Sequence, residues 1–330
     1  MRATGSGVSS RSWKRFGLAT LAAATAATLA VTIGLQSGAA SDKGGVARYD
    51  DGIADYGVCR GTDPSCYNDW DTVFRNDGQR RVLVYTATGT SRHAHLGPLL
   101  GPGMNPPLTA AHVAQSAVVQ WGQEYGFSVD WTEDVTQLNS PARLRSYDAV
   151  IFLSNSRTIL DDAAQTALMQ YIRSGGGFVG IHNTLGAMYH WPWFQGLLGG
   201  THFYDHGPHQ EGEVVVLNKK DESTKTLPRS FNFKDEWYNL EPFPSHVRFL
   251  AAVEEKTMLR GTKGSNGHPG HGKFHPVSWC QYYDGGRSWV TSLGHDSAAW
   301  NDTPLAGDTF FKEHVVNGIL STMGAKPFCR

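Results

Sequence analysis

The chain predicts an α/β fold: a three-layer sandwich with a largely parallel central sheet and antiparallel additions. Three observations carry this reading. Short apolar runs alternate with helical stretches through the first part of the chain, the pattern of βαβ units. One of those runs, Phe178–Ile181, is nearly continuous in apolar residues, as in a strand buried on both faces. Later the pattern changes to strands joined by turns, and Asp284-Gly285-Gly286 is a hairpin signal.

The chain opens with a targeting segment. Arg2, Arg11, Lys14 and Arg15 form a positive region, and Phe16–Leu35 is rich in Ala, Leu, Val and Thr. Ser37-Gly38-Ala39-Ala40 supplies small residues that a signal peptidase accepts. Residues 1–40 read as a signal peptide cleaved near Ala40, which predicts a secreted or cell-surface protein. The apolar stretch is about 20 residues, the length of a membrane span, so an uncleaved N-terminal anchor is the alternative. Residues 41–79 are polar, rich in Gly and Asp, and read as an irregular N-terminal extension. Cys59, Cys66, Cys280 and Cys329 allow three pairings. The short loop between Cys59 and Cys66 favours a local disulfide. Cys280 lies in a strand-like run and is expected as a buried thiol, with Cys329 left at the tail.

The α/β domain is expected over residues 80–324, with 325–330 as a C-terminal tail. Arg80–Thr86 is its first strand. The following loop, 87–107, carries His93, His95 and many Gly and Pro residues; a loop this long is usually functional or disordered, and its place after a strand's C-terminal end favours function. Thr109 is placed to cap a helix to about Tyr125, with Val113, Ala117 and Trp121 at helical spacing. Phe127–Trp131 and Asp148–Leu153 are further strands. Asp161–Arg173 is a helix with Ala164, Leu168 and Ile172 on one face, closed by the glycines after Ser174. The strand ending at Ile181 follows. Beyond it come a short aromatic helix from Trp191, a loop from Thr201 to His209, and strands at Glu213–Leu217, Arg248–Val253, Pro276–Tyr283 and Ser288–Leu293. The Gly/His-rich segment 261–273 reads as a mobile surface loop, and Thr309–Met323 as a closing helix.

A net charge of -1 leaves no basic stripe for nucleic acid, so none is expected as a partner. The 10 tryptophans fit sugar stacking and a large core equally well. Of 14 histidines, His112, His246 and His314 are given no role, His268 and His271 are read as solvated, and His190 as packed. His93, His182 and His295 each follow a predicted strand at its C-terminal end, where open α/β sheets bind ligands. His202, His206, His209 and Glu236 can join them from loops. Histidines with a carboxylate make an acid–base pair or a metal site. The reading taken is acid–base chemistry: His182 and His295 as catalytic groups with Glu236 as partner, and no metal assigned. A divalent ion such as zinc stays open as a cofactor; no nucleotide cofactor is expected. In Gly180-Ile181-His182-Asn183-Thr184 a histidine stands where a nucleophile elbow carries serine or cysteine, which disfavours acyl transfer.

Asp148–Leu153, Gly175–His182, Asp235-Glu236-Trp237-Tyr238, His275–Gln281 and Gly285-Gly286-Arg287 with Leu293-Gly294-His295 follow one another in the order of the trehalose-utilisation (ThuA-like) family. The chain resembles that family from about Arg81 to Met323. The resemblance implies a flavodoxin-like, class I glutamine amidotransferase-like fold without the amidotransferase cysteine, and a role in carbohydrate metabolism on sugars or oxidised (keto) sugars. It implies His93, His182, Glu236, Trp237, His275 and His295 as the recurrent positions. His93, Trp237 and His275, with His206 from the histidine loop, are therefore expected to bind substrate. The expected function is a secreted carbohydrate-active enzyme. A non-catalytic carbohydrate-binding or accessory module and a metal-dependent hydrolase are the alternatives. The expected partner is a small-molecule carbohydrate or glycan, with no stable membrane insertion once the signal is cleaved.

Overall fold

The computed structural model describes residues 57–301 and 308–330. The signal reading, residues 1–40, and the start of the N-terminal extension lie outside the described residues. Twelve strands are described: β1 (Arg60–Gly61), β2 (Arg81–Tyr85), β3 (Ser128–Thr132), β4 (Ala149–Leu153), β5 (Gly177–Ile181), β6 (Phe203–His206), β7 (Gln210–Val216), β8 (Ser230–Asp235), β9 (Tyr238–Leu240), β10 (Arg248–Glu254), β11 (His275–Tyr283) and β12 (Gly286–Thr291). The helices are α1 (Val113–Tyr125), α2 (Pro141–Leu144), α3 (Asp162–Arg173), α4 (Pro192–Leu197), α5 (Ser297–Trp300) and α6 (Asp308–Thr322).

The main sheet runs β3-β2-β4-β5-β12-β11-β10-β7-β8. Its first five strands are mutually parallel. Ranked by chain order they stand 2-1-3-4-5, the flavodoxin-like order. The remaining four are antiparallel additions. β1 pairs with the end of β11, so the N-terminal extension contributes a strand, and β6 with β9 forms a separate two-stranded sheet. Because side chains alternate along a strand, Val82 and Val84 of β2 enter one core with Ile151, Val179 and α6 residues Val316 and Ile319. Leu83 and Tyr85 enter the other, with Phe152, Phe178, Leu168 and Phe194. Two cores on two faces of one sheet make the three layers.

Local signals explain most boundaries. The Asp161 carboxylate accepts the Ala164 N–H at 2.8 Å and starts α3. Beyond its end Gly175 has φ +107°, and a Cβ there would meet the Asn68 carbonyl at 2.2 Å. The hairpin β11–β12 closes at Asp284-Gly285, both with positive φ, as the two-residue turn requires.

Several expectations are corrected. α1 begins at Val113 rather than Thr109, because the Thr109 hydroxyl and N–H both meet Nδ1 of His112 and form a turn before the helix. The segment Thr201–His209 is not all loop: Phe203–His206 is a strand, paired across a long sequence gap with Tyr238–Leu240. Cys280 is not a free thiol. It is bonded to Cys329, alongside the expected Cys59–Cys66 disulfide. The strand run around Cys280 carries no signal for a partner that the fold of the tail brings back. His190 is exposed. His271 is partly buried and its Nε2 accepts the Leu240 N–H at 2.9 Å. The 261–273 loop around it is pinned. Glu255 accepts the His271 and Gly272 N–H groups, and Asp205 those of Asn266 and His268.

Candidate functional site

The C-terminal edge of the parallel strands collects the titratable groups. β5 ends at Ile181, and the next residue, His182, has φ +52°. A non-glycine residue held there costs roughly 1–3 kcal/mol and persists only where its surroundings enforce it. This is the backbone of an elbow, and it throws a fully buried imidazole inward. His182 Nδ1 is 2.8 Å from the Ser292 carbonyl, which can only accept, so Nδ1 carries the proton and Nε2 the lone pair.

That lone pair faces a crowd. His93 Nε2 lies 3.1 Å away and the Tyr238 hydroxyl 3.0 Å away. His93 comes from the loop after β2. Its neighbour Arg92 ties that loop down, with bonds to the carbonyls of Gly97, Leu96 and Pro98 and an ion pair to Glu133 at 2.6 Å. Glu236 follows β8 and brings Oε2 to 3.9 Å from both His93 Nε2 and His182 Nε2. His295, after β12, places Nδ1 3.0 Å from the same oxygen. The four donor atoms of His93, His182, Glu236 and His295 all lie within 4.8 Å of one another.

Burial and charge act together here. Burial holds His182 far below the usual histidine range, helped by the neighbouring His93 and His295. For Glu236, burial works upward, and hydrogen bonds from His295 and His93 outweigh it, so the carboxyl is lowered. Burial works downward on His295, and Glu236 outweighs it, raising the imidazole. Asp235, fully buried, is pushed up to about 7 by burial.

The set fits a metal ion. Ligands of a tetrahedral zinc stand about 3.3 Å apart, given bonds of about 2.0–2.1 Å. Four of the spacings, 3.0 to 3.9 Å, bracket that value, and the whole set lies within 4.8 Å. Nδ1 of His295 faces Glu236 Oε2 at 3.0 Å, two groups that a shared cation would join. His182 has its outer nitrogen fixed by a carbonyl, the arrangement that orients a metal-binding imidazole.

Of the expected site residues, the fold brings together His93, His182, Glu236 and His295. His206 stands at the rim, its Nε2 3.5 Å from Glu236 Oε1. His209, beside it, pairs with Asp296 at 3.0 Å and lies against the His295 ring. Trp237 and His275, expected to bind substrate, do not reach the centre. Trp237 is buried in the core and its indole N–H donates to the Gln210 carbonyl. Both nitrogens of the buried His275 are used, by Glu255 at 2.7 Å and by the Tyr238 carbonyl at 2.9 Å. Sequence reasoning missed Tyr238, His95 and Asp235 as members of the site. Asp235 had a signal: Phe231, Phe233 and Asp235 share the buried phase of β8, and an acid in that phase calls for partners.

Residues 104–320, more than half of the chain, match the model of the ThuA family, described as trehalose utilisation. The chain belongs to this family. The match begins downstream of His93, which the structure alone brings to the cluster. A ThuA-like protein from Bacteroides uniformis is 25% identical, with 74% of this chain and 92% of that one covered and a TM-score of 0.56. A ThuA-like protein from Parabacteroides merdae, 17% identical, covers 75% and 91% with a TM-score of 0.54 and shows the same fold. Among curated proteins none matches. Family membership makes the ThuA chain carbohydrate-related. Among its described residues no helix is long and apolar enough to cross a membrane, and its two disulfides are consistent with an extracellular protein.

Proposed function

We propose that the chain is an exported carbohydrate-active enzyme whose reactive centre is a first-row divalent ion, such as zinc, held by His93, His182, Glu236 and His295. The observation that carries the reading is the convergence of four nitrogen and oxygen donors at the ligand-binding edge of the sheet. A bound ion there would supply Lewis acidity toward a sugar carbonyl or hydroxyl. The protein's own groups do the rest. His182 and its carbonyl-fixed ring keep a lone pair pointing inward. Glu236 balances the charge of a cation. His206, His209 and Asp296 line the rim, where sugar hydroxyls would find donors and acceptors, and His209 with Asp296 can carry a proton. The substrate class is a sugar or keto sugar, in keeping with the family.

One observation favours a metal-free version. His295 and Glu236 already form a close pair with opposed shifts. In that version His182, His295 and Glu236 perform acid–base chemistry alone.

Elemental analysis of the protein purified without chelator decides between them. About one equivalent of metal per chain, lost in His182→Ala, is the expected result. No metal, and no rise in melting temperature when zinc, manganese or cobalt is added, leaves the acid–base version. Incubation with disaccharides and their keto derivatives, read by mass spectrometry, tests turnover. Glycan binding with no product would turn the reading to a binding module.

A further inference from the structure

The geometry points to Asp235 and His95 as positioning residues: a bracket that fixes the backbone of His295 and its spacing to Glu236. The inference rests on the metal reading above. Among the four ligands His295 has the most exposed side chain, at 27%. It lies between the end of β12 and the start of α5, so no ladder or helix hydrogen bonds set its place. Two buried side chains do.

Asp235 acts on the N–H side. Its Oδ1 accepts the Glu236 N–H at 2.8 Å and the His295 N–H at 3.2 Å, and its Oδ2 accepts the Gly294 N–H at 2.7 Å. One oxygen therefore bridges the amides of the two ligands whose side chains meet at 3.0 Å. A serine or threonine in this place has one oxygen and could not serve three donors on two segments. His95 acts on the carbonyl side. Its Nδ1 donates to the His295 carbonyl at 2.9 Å, and its Nε2 accepts the Ser154 hydroxyl at 2.8 Å. Ser154 directly follows β4 and is itself held at φ +51°. Asp235 and His95 are both buried. His295 is thus tied to β8 through its N–H and to the end of β4 through its carbonyl.

The test is zinc titration of the metal-stripped full chain by calorimetry, with melting curves of each apo variant. Asp235→Asn swaps one acceptor for an NH2 group facing a backbone N–H. Its zinc affinity is expected to fall 10- to 100-fold, the usual loss when a ligand's support is removed. The absorption of the cobalt(II)-loaded protein is expected to shift with it. His95→Asn keeps a donor near the Nδ1 position and is expected to bind zinc more tightly than His95→Ala. Should Asp235→Asn fail to fold, the two His95 variants carry the comparison. Wild type binding zinc while folded Asp235→Asn and His95→Ala bind it within about twofold overturns the bracket and leaves the metal reading standing. Wild type failing to bind zinc, manganese or cobalt(II) sinks the metal reading, and the bracket with it.

Discussion

β4 and β5 are buried at every position, whereas β7 and β8 alternate buried and exposed residues. These two strand pairs are built on different rules, the first at the middle of the sheet and the second at its antiparallel edge. In the parallel half, helices cover both faces, and the strand can be apolar throughout. In the antiparallel half, part of one face meets water, and a polar residue in the buried phase stands out. The site draws on both. His93 and His182 come from the ends of parallel strands, and Glu236 from the end of β8. His295 sits between them and is held from both sides. The lesson is that the parallel half supplies residues of the cluster by its topology, while the antiparallel half supplies them by long-range contact.

Core substitutions sharpen this contrast most. Phe178 is fully buried and packs against Phe152 and Phe194. Phe178→Ala is expected to cost about 3–5 kcal/mol in urea unfolding. Asn232, at an exposed position of β8, is expected to cost less than about 0.5 kcal/mol as Ala. Similar losses at the two positions would erase the distinction between β5 and β8.

The Cys280–Cys329 disulfide tests how the antiparallel half is held. It closes 49 residues and ties the tail to β11. Cys329→Ser is expected to lower stability by about 2–4 kcal/mol, and reducing wild type, which opens Cys59–Cys66 as well, by at least as much. An unchanged midpoint in denaturant would mean that the packing of Phe328 and the hydrogen bonds of Cys329 and Arg330 to Arg248 and Asp221 retain the tail without it.

Acid probes two buried histidines that lie outside the main sheet, His314 on α6 and His202 before β6. His314 donates from Nδ1 to the Ser223 carbonyl and accepts at Nε2 from the Ser278 hydroxyl, and burial lowers it to about 4. His202 is likewise lowered to about 4 by burial. An unfolded histidine titrates near 6.5, so between pH 6.5 and 4 the unfolded chain binds protons that the native one refuses. Stability from these groups is full above pH 6.5 and is lost as pH falls toward 4. For His314 the loss is at most about 3 kcal/mol. Urea unfolding at several pH values should show this slope, and His314→Gln should flatten it. A parallel slope in the variant would remove His314 as a cause.

The sequence by itself determined the architecture, because the parallel half advertises it. Continuous apolar strands, the Asp161 cap, the glycines after Ser174 and the Asp284-Gly285 turn are local signals, and each acts through hydrogen bonds or sterics within a few residues. It also placed His93, His182 and His295 at one sheet edge, since strand direction follows from βαβ order. Tertiary structure decided what local signals cannot. It paired Phe203–His206 with Tyr238–Leu240 and Cys280 with Cys329. It turned Trp237 and His275 into the core, away from the centre. It set Glu236 within 3.9 Å of four histidines, and it placed Asp235 and His95 on either side of His295. These contacts join segments tens to hundreds of residues apart. Only packing selects them, because no periodicity or cap within one segment encodes which distant partner will satisfy a buried polar group.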